Sequence, residues 1–401
     1  MSRLPLHGVT VLDFTWQIAG PIATKTLMEL GARVIRVESS AKIDGMRILP
    51  PHPPEFQDLN HSGGIHVVNS CKESISINLK MPGAIGALQD LLPAADIVIS
   101  NFAPGVMERL GFSFDDVRQL NSKVVYITMP AVGSTGPKKH WRALGVNVAA
   151  IVGLTYLTGF PDDPPQPAGV VYPDFAANPF HAAVAAIAGL RTVRDQGEGV
   201  WIDLGQYEST AVLVGPHVFA EGVSGVASSR MGNRHQWMVP QGVFPTLGMD
   251  KWIALSVATD SEWESLVSVL TLPDRPEWRS FVGRTRDQDS VEEAVAERTK
   301  EFYGYELMDR LQAVRVRAGV VQTLDDVVER DRYLSGSFMH AREKDGIEYR
   351  VPGPAFHSEQ WDPPVGLLSD MGADTERVLR EVGGLDSEEI DRLRASGAID
   401  Q

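Results

Sequence analysis

A few short stretches of this 401-residue chain bring together side chains whose types and spacing could do chemistry. One is Ala168-Gly169-Val170-Val171-Tyr172-Pro173-Asp174, an apolar run that delivers a carboxylate to the entrance of an Ala-rich segment. An aspartate at a helix entrance can cap it, worth about 0.5–2 kcal/mol. At a partly dry entrance it can instead attack a carbonyl as a nucleophile. The residue types leave both uses open. A second stretch, Asn101-Phe102-Ala103-Pro104-Gly105, follows an apolar run and leads to Glu108-Arg109-Leu110-Gly111. Open parallel sheets bind ligands outside the carboxyl ends of their strands, which places Asn101 and Phe102 beside a ligand. Arg109 is either a phosphate donor or a solvated arginine in a turn.

A third stretch, Ile18-Ala19-Gly20-Pro21, joins a strand-like run to a helix-like one. Such a turn can receive phosphate on the helix N-terminus, but the dinucleotide fingerprint needs three glycines here and only Gly20 is present. Glu38 stands where a ribose-binding carboxylate would, yet the turn favours a ligand other than NAD. Other chemistries lack their residues. His52, His61 and His66 share one irregular segment without the i, i+4 spacing of a zinc site, and His140, His181, His217 and His235 are scattered. There is no G-x-S-x-G elbow and no phosphate-binding P-loop. The one cysteine, Cys71, excludes an internal disulfide and any multi-cysteine metal centre. No metal site is expected.

The elements that must position these groups can be read from periodicity. Strand-like runs at Gly8–Thr15, Ala32–Glu38, Ser74–Leu79, Ile97–Phe102 and Val124–Met129 alternate with helical patterns at Ala19–Gly31, Pro82–Asp96 and Phe114–Asn121. Repeated strand–helix–strand units predict an α/β fold with a parallel sheet and right-handed crossovers. The Ala-rich segment Asn178–Val193 predicts a helix and Gly199–Leu204 a short strand. Residues 222–234 turn small and polar, as a linker would. Gly242 to about Val321 mixes short strands (Trp252–Val257) with amphipathic helices (Val291–Tyr303, Tyr305–Ala313), a smaller α+β unit. A Pro-rich stretch, Val351–Pro364, and a polar helix close the chain.

Composition bounds the function. With 37 basic and 52 acidic side chains the net charge is −15, against non-specific binding to nucleic acid, which needs a basic face. A few local donors still suffice for a small anionic ligand. The first residues lack the pattern of a secretory signal, and the apolar runs, about 10–14 residues at most, are too short to span a bilayer. The expectation is a cytoplasmic protein with no membrane and no nucleic-acid partner.

Six blocks in order carry a likeness to a known family: LPLHGVTVLDFTWQIAGPIATKTLMELGARVIRVE (4–38), KESISINLK (72–80), ADIVISNFAPGVMERLG (95–111), PAGVVYPDF (167–175), QGEGVWIDLGQYES (196–209) and MGNRH (231–235). Together they resemble the family III CoA-transferases, the group of formyl-CoA transferase, carnitine CoA-transferase and α-methylacyl-CoA racemase. The resemblance implies a Rossmann-like large domain built from both chain ends (residues 1–222 and 331–401), a smaller α+β domain with its linker (223–330), and an interlocked homodimer. It implies Asp174 as nucleophile, and Asn101, Phe102 and Arg109 as residues that hold CoA. Lys72 and Arg47 fall near the CoA nucleotide, and Ile18 and Ala19 near the thioester. Trp16, Gln17, Gly232 and Trp237 are neighbours of the substrate. No tightly bound cofactor is implied; coenzyme A and its acyl thioester are substrates, with a free carboxylic acid as acceptor.

Two departures bear on activity. Where the racemase branch carries Gly-His-Asp, this chain has Ala143-Leu144-Gly145, and leucine cannot abstract an α-proton. The Tyr and acidic residue or Asn that transferases often carry there are missing as well. The glycine-rich loop after Gly232-Asn233-Arg234 is replaced by His235-Gln236-Trp237-Met238, which suggests an acyl group larger and more apolar than formate or oxalate. The implied activity is transfer of CoA through an aspartyl anhydride and an aspartyl-CoA thioester on Asp174. A 2-methylacyl-CoA racemase and a CoA-binding protein without turnover are the alternatives.

Overall fold

The computed structural model describes residues 4–331 and 333–400. Six short β-branched runs form one parallel sheet: β1 (Thr10–Asp13), β2 (Arg33–Glu38), β3 (Glu73–Ser76), β4 (Ile97–Ser100), β5 (Val125–Thr128) and β6 (Val200–Asp203). Their order is β3-β2-β1-β4-β5-β6, so the strand sequence reverses direction between β1 and β4, the position where doubly wound sheets open a ligand crevice. Side chains alternate across the strands and build two cores. Leu12, Ile35, Ile75, Val98 and Tyr126 pack with Leu88, Phe112, Leu379 and Ile390 on one face. Val11, Val34, Ile97, Ile99, Val125 and Ile127 pack on the other with Ala23, Leu27, Ala182, Ala183 and Ala186.

Small residues set how closely the second layer approaches. Helix α1 (Ala19–Glu29), a short helix α2 (Gly145–Ile151), the long helix α3 (Asn178–Gln196) and a short helix α4 (Gln206–Ala211) surround the candidate site. Helices α1 and α3 pack on each other. A Cβ at Gly189 of α3 would lie 2.6 Å from Val125 Cγ1, so glycine is what seats α3 on β5.

The described residues divide into two units. Residues 4–155, 167–227 and 333–400 make one; residues 156–166 and 228–331 make the other. The first holds the parallel sheet. The second has its own antiparallel sheet of β7 (Gln241–Pro245), β8 (Trp252–Ser256) and β9 (Arg317–Val320), with a core of Ile253, Leu255, Trp263, Leu266, Trp278, Val295 and Leu307. In the first unit, β10 (Met339–Lys344) and β11 (Ile347–Pro352) form a hairpin. Among the described residues no helix is long and apolar enough to cross a membrane.

Several elements differ from the sequence pattern. The third strand ends at Ser76, and Ile77 instead bridges Ile399. The helical pattern 82–96 is cut to Ala84–Gln89 and a 3-10 turn at Leu92–Ala94, because Pro93 has no N–H to continue the ladder. The small, polar 222–234 stretch opens with the end of a helix, Gly215–Ser224, which stops at the left-handed Gly225.

Candidate active site

The β1–α1 turn is held from beneath by a buried charge network. Asp13 Oδ1 accepts the Thr15 N–H (2.9 Å) and hydroxyl (2.6 Å); Oδ2 accepts the Thr24 hydroxyl (2.6 Å) and Lys72 Nζ (3.0 Å). Burial alone would raise the Asp13 carboxyl, but the Lys72 and Arg36 charges outweigh it and hold it below the usual range. Above this base the chain turns through Gln17, with φ 65°, into α1. Ile18 precedes the helix with no side-chain cap, and Ala19 is buried in its first turn. The Gln17 N–H reaches the Asp44 carboxylate at 3.2 Å.

At the switch point the ends of β1 and β4 are stitched together. The Trp16 N–H donates to Asn101 Oδ1 (2.9 Å), and Asn101 Nδ2 donates back to the Trp16 carbonyl (2.7 Å). The Trp16 and Phe102 rings meet edge to face, centroids 5.6 Å apart, and Lys42 Nζ stands 5.0 Å from the Trp16 centroid. These rings are part of the wall of a cavity of about 500 Å³ that also takes in Phe14, Lys42, Lys80 and Leu110. Its walls are mostly apolar and aromatic, with two exposed lysines, a suitable environment for a flat heterocycle carrying phosphates. Arg109 is exposed, with Nη1 3.1 Å from the position of a Cβ on Gly105.

Lys72 and Arg47, expected near the nucleotide, are buried and held in internal ion pairs. Lys72 is 1% exposed, and its ammonium also donates to Pro21 O, Thr24 Oγ1 and Asn69 Oδ1. Burial pushes it down to about 8, against the Asp13 charge. Arg47 is likewise 1% exposed; it grips Glu38 through Nε (2.7 Å) and Nη2 (2.6 Å) and donates to Leu59 O and Asn60 Oδ1. Glu38 lines the cavity but is taken up by Arg47 and the Ser74 hydroxyl (2.8 Å), so it is not a free ribose acceptor. His66 is a satisfied interior histidine: Nε2 meets Asn60 O at 2.9 Å, Nδ1 accepts the Leu368 N–H, and burial lowers it to about 4.

Asp174 lies in a wide turn of π type, Pro173–Ala177, that contacts α1, α2, α3 and α4. The capping alternative fails: α3 begins after Ala177 with no side-chain cap. The carboxylate is partly buried, and burial raises it to about 6, opposed by a hydrogen bond from Asn178 Nδ2 to Oδ1 (3.3 Å). A Cβ on Gly145 would lie 2.4 Å from Asp174 Oδ2 and 2.3 Å from Val171 Cγ1. The start of α2 thus lies directly on the carboxylate, and any side chain at position 145 would require Asp174 or Val171 to shift. A carboxylate at this pKa is mostly ionised at neutral pH yet poorly solvated, the condition of a usable nucleophile.

Gly232 and Trp237 belong to the second unit. Gly232, with φ 59°, donates its N–H to Gly159 O, and a Cβ there would strike the Phe160 ring at 2.6 Å; Trp237 is exposed. Sequence reasoning missed Lys42, Lys80, Asn178 and Gln206. Lys42 and Lys80 follow the carboxyl ends of β2 and β3, a signal the strand pattern offered; Asn178 carried only its spacing four residues after Asp174.

Comparison with known proteins gives the family. A mouse succinyl-CoA:glutarate CoA-transferase is 27% identical over 410 residues, covering 100% of this chain and 91% of that protein. An acetyl-CoA:oxalate CoA-transferase of Acetobacter aceti is 32% identical over 296 residues, 73% of this chain and 74% of its own. The fold matches the crystal structure of a CAIB/BAIF family protein from Brucella suis with a TM-score of 0.86 at 22% identity, over 95% of this chain and 100% of that one. The profile of CoA-transferase family III matches residues 6–374, and the chain belongs to that family.

Proposed function

We propose that this CoA-transferase exchanges CoA between a donor acyl-CoA and a free carboxylic acid through covalent intermediates on Asp174. The observation that carries the reading is a partly dry carboxylate, raised to about 6, on the carboxyl edge of the sheet that also bears the cavity. The Asp174 carboxylate attacks the donor acyl carbon; the C–S bond breaks, giving a mixed anhydride and CoA thiolate. The thiolate attacks the aspartyl carbonyl and expels the donor acid, leaving an aspartyl-CoA thioester. The acceptor carboxylate attacks that thioester and expels the thiolate. The thiolate then attacks the acceptor acyl carbon, releasing the new acyl-CoA and the original carboxylate. Thioester energy is conserved throughout, and each step replaces one hard exchange by an easier one. The uncapped first turn of α1, at Ile18–Gly20, supplies N–H donors for the oxyanions.

Relatives named for glutarate, oxalate and L-malate place dicarboxylates first among acceptors to be screened. Racemisation is disfavoured, since Leu144 carries no base and is 68% exposed. The homodimer has its support in uncovered apolar surface: helix Gly215–Ser224 buries no residue, and Phe219 and Val223 are 75% and 74% exposed. The test is a mass-spectrometric screen of acyl-CoA donors against carboxylic acids, repeated with Asp174→Asn, with hydroxylamine trapping during turnover. Loss of exchange by more than about 10³-fold and an Asp174 hydroxamate are expected; undiminished exchange refutes the assignment.

A further inference from the structure

Asn178 opens α3 and is fully buried, although its amide carries two N–H donors and an oxygen with two acceptor sites. All four are engaged. Nδ2 donates to Gln206 Oε1 (3.2 Å) and Asp174 Oδ1 (3.3 Å), while Oδ1 accepts the Ser209 hydroxyl and the Thr210 hydroxyl (3.2 Å). The direction of this chain is forced. Gln206 Nε2 donates to the Met129 carbonyl at 2.7 Å, and a carbonyl can only accept. Gln206 must then present its oxygen to Asn178, Asn178 must answer with its NH₂, and the second N–H of that group falls on Asp174. A flipped Asn178 would set its oxygen against the Gln206 oxygen and the Asp174 carboxylate.

From this geometry we infer that Asn178 is a positioning residue for Asp174: anchored through Gln206 to the backbone just beyond β5, it fixes the carboxylate's orientation and favours its anionic form. The inference rests on Asp174 as nucleophile and adds how that group is kept oriented and charged. Among the described residues, Asn178 is the side chain hydrogen-bonded to Asp174. On the elements packed against the turn, α2 has no titratable side chain, and Lys25 and Glu29 of α1 pair with each other. On α3, His181 bonds to the Ala177 carbonyl, while Arg191, Arg194 and Asp195 lie at the far end. Tyr207 and Glu208 of α4 complete the set, and none of these is hydrogen-bonded to Asp174.

The experiment compares wild type, Asn178→Ala and Gln206→Leu by two readouts. One is the pH midpoint of carbodiimide labelling of Asp174, followed by peptide mass spectrometry; the other is the pH profile of kcat/KM for CoA exchange. Removing a donor to a carboxylate raises its pKa. The midpoint is expected to rise by about half a pH unit or more in Asn178→Ala, and in the same direction but less in Gln206→Leu. The loss of kcat/KM at pH 6 should then exceed that at pH 8 by about twofold or more, with KM for acyl-CoA unchanged within about twofold. An unmoved midpoint, or a loss equal at all pH values, overturns the inference. If Asn178→Ala does not fold by circular dichroism, Gln206→Leu decides alone by the same criteria. Failure of the nucleophile reading is separate: it shows as exchange retained by Asp174→Asn, whatever the labelling midpoint does.

Discussion

Replacing Gly145 by alanine adds one methyl group at the point where α2 meets the carboxylate. That methyl would lie 2.3 Å from Val171 Cγ1, 2.4 Å from Asp174 Oδ2 and 2.6 Å from Asp174 Cγ. Ordinary contacts between such atoms are about 3.5–4.0 Å, so each pair overlaps by roughly 1 Å or more. The carboxylate, tethered at Oδ1 to Asn178, has to swing by a comparable distance or push α2 away. Misplacing a reacting group by about 1 Å costs on the order of 10²-fold in rate, or about 2.7 kcal/mol of barrier. Stability changes less. Overpacking costs about 1–3 kcal/mol, while alanine in place of glycine returns about 0.8–1.0 kcal/mol of helix propensity. Gly145→Ala should therefore fold, with a melting temperature within a few degrees of wild type, and lose about 10²-fold in kcat/KM, mostly in kcat. The assay follows acyl-CoA exchange by chromatography, with thermal melts and calorimetric CoA binding on the same samples. A folded variant within about threefold of wild-type turnover would refute the claim that this close approach sets the nucleophile.

Asp174 also bears on stability. Its pKa, about 6 in the fold against the ordinary 3.8, means that ionising it costs the native state up to about 3 kcal/mol above pH 6, before discounting for its partial exposure. Asp174→Asn should therefore raise the melting temperature at pH 8, and the gain should vanish below about pH 4, where the wild-type carboxyl is protonated folded or unfolded; an equal gain at both pH values would contradict this. Lys72→Ala leaves Asp13 buried without its cation and should cost about 3–5 kcal/mol in thermal or urea unfolding, with CoA affinity of the surviving folded protein unchanged; a selective loss of CoA affinity would restore Lys72 to the binding site. Lys42→Ala removes an exposed cation from the cavity wall and should lower kcat/KM for acyl-CoA about threefold to tenfold. That effect should shrink as salt rises; no effect at low salt would argue against the nucleotide there.

The parallel sheet was legible because β-branched and large apolar runs such as Val34–Val37 and Ile97–Ile99 have little choice but to be central strands. Asp174 was visible as a candidate, but not its local conformation: whether an aspartate caps a helix or stands in a wide turn is decided by packing against α1, α2 and α4. The buried pairing of Lys72 and Arg47 was not legible for a related reason. A basic residue beside a strand looks the same whether it faces a ligand or a buried carboxylate, and their partners, Asp13 and Glu38, are 59 and 9 residues away. The β10–β11 hairpin was missed although Asp345-Gly346, both at positive φ, is a strong two-residue turn signal. The Pro-rich sequence after Val351 masked it.

The strand order also constrains the shape of the substrate. Residues lining the cavity follow β1, β2, β3 and β4, while the Asn178–Gln206 link to Asp174 is tied down just after β5 and β6. Strands lie about 4.7–4.9 Å apart, so β2 and β5, three spacings distant, are separated by roughly 15 Å along the carboxyl edge. A compact thioester would reach Asp174 without touching the aromatic cavity; only a ligand with a long arm uses both. Binding at a remote cavity raises the chemical rate when it is spent on orienting the reacting end, and truncated substrates then lose kcat as well as affinity. An acyl-pantetheine, which keeps the reactive thioester but lacks the nucleotide, should thus acylate Asp174 with kcat lower by at least about 10²-fold than the matching acyl-CoA, and adding free 3′-phospho-ADP should not restore it. If the truncated thioester reached the same kcat at saturation, the cavity would contribute affinity alone, and the coupling between the two ends of the sheet edge would have to be abandoned.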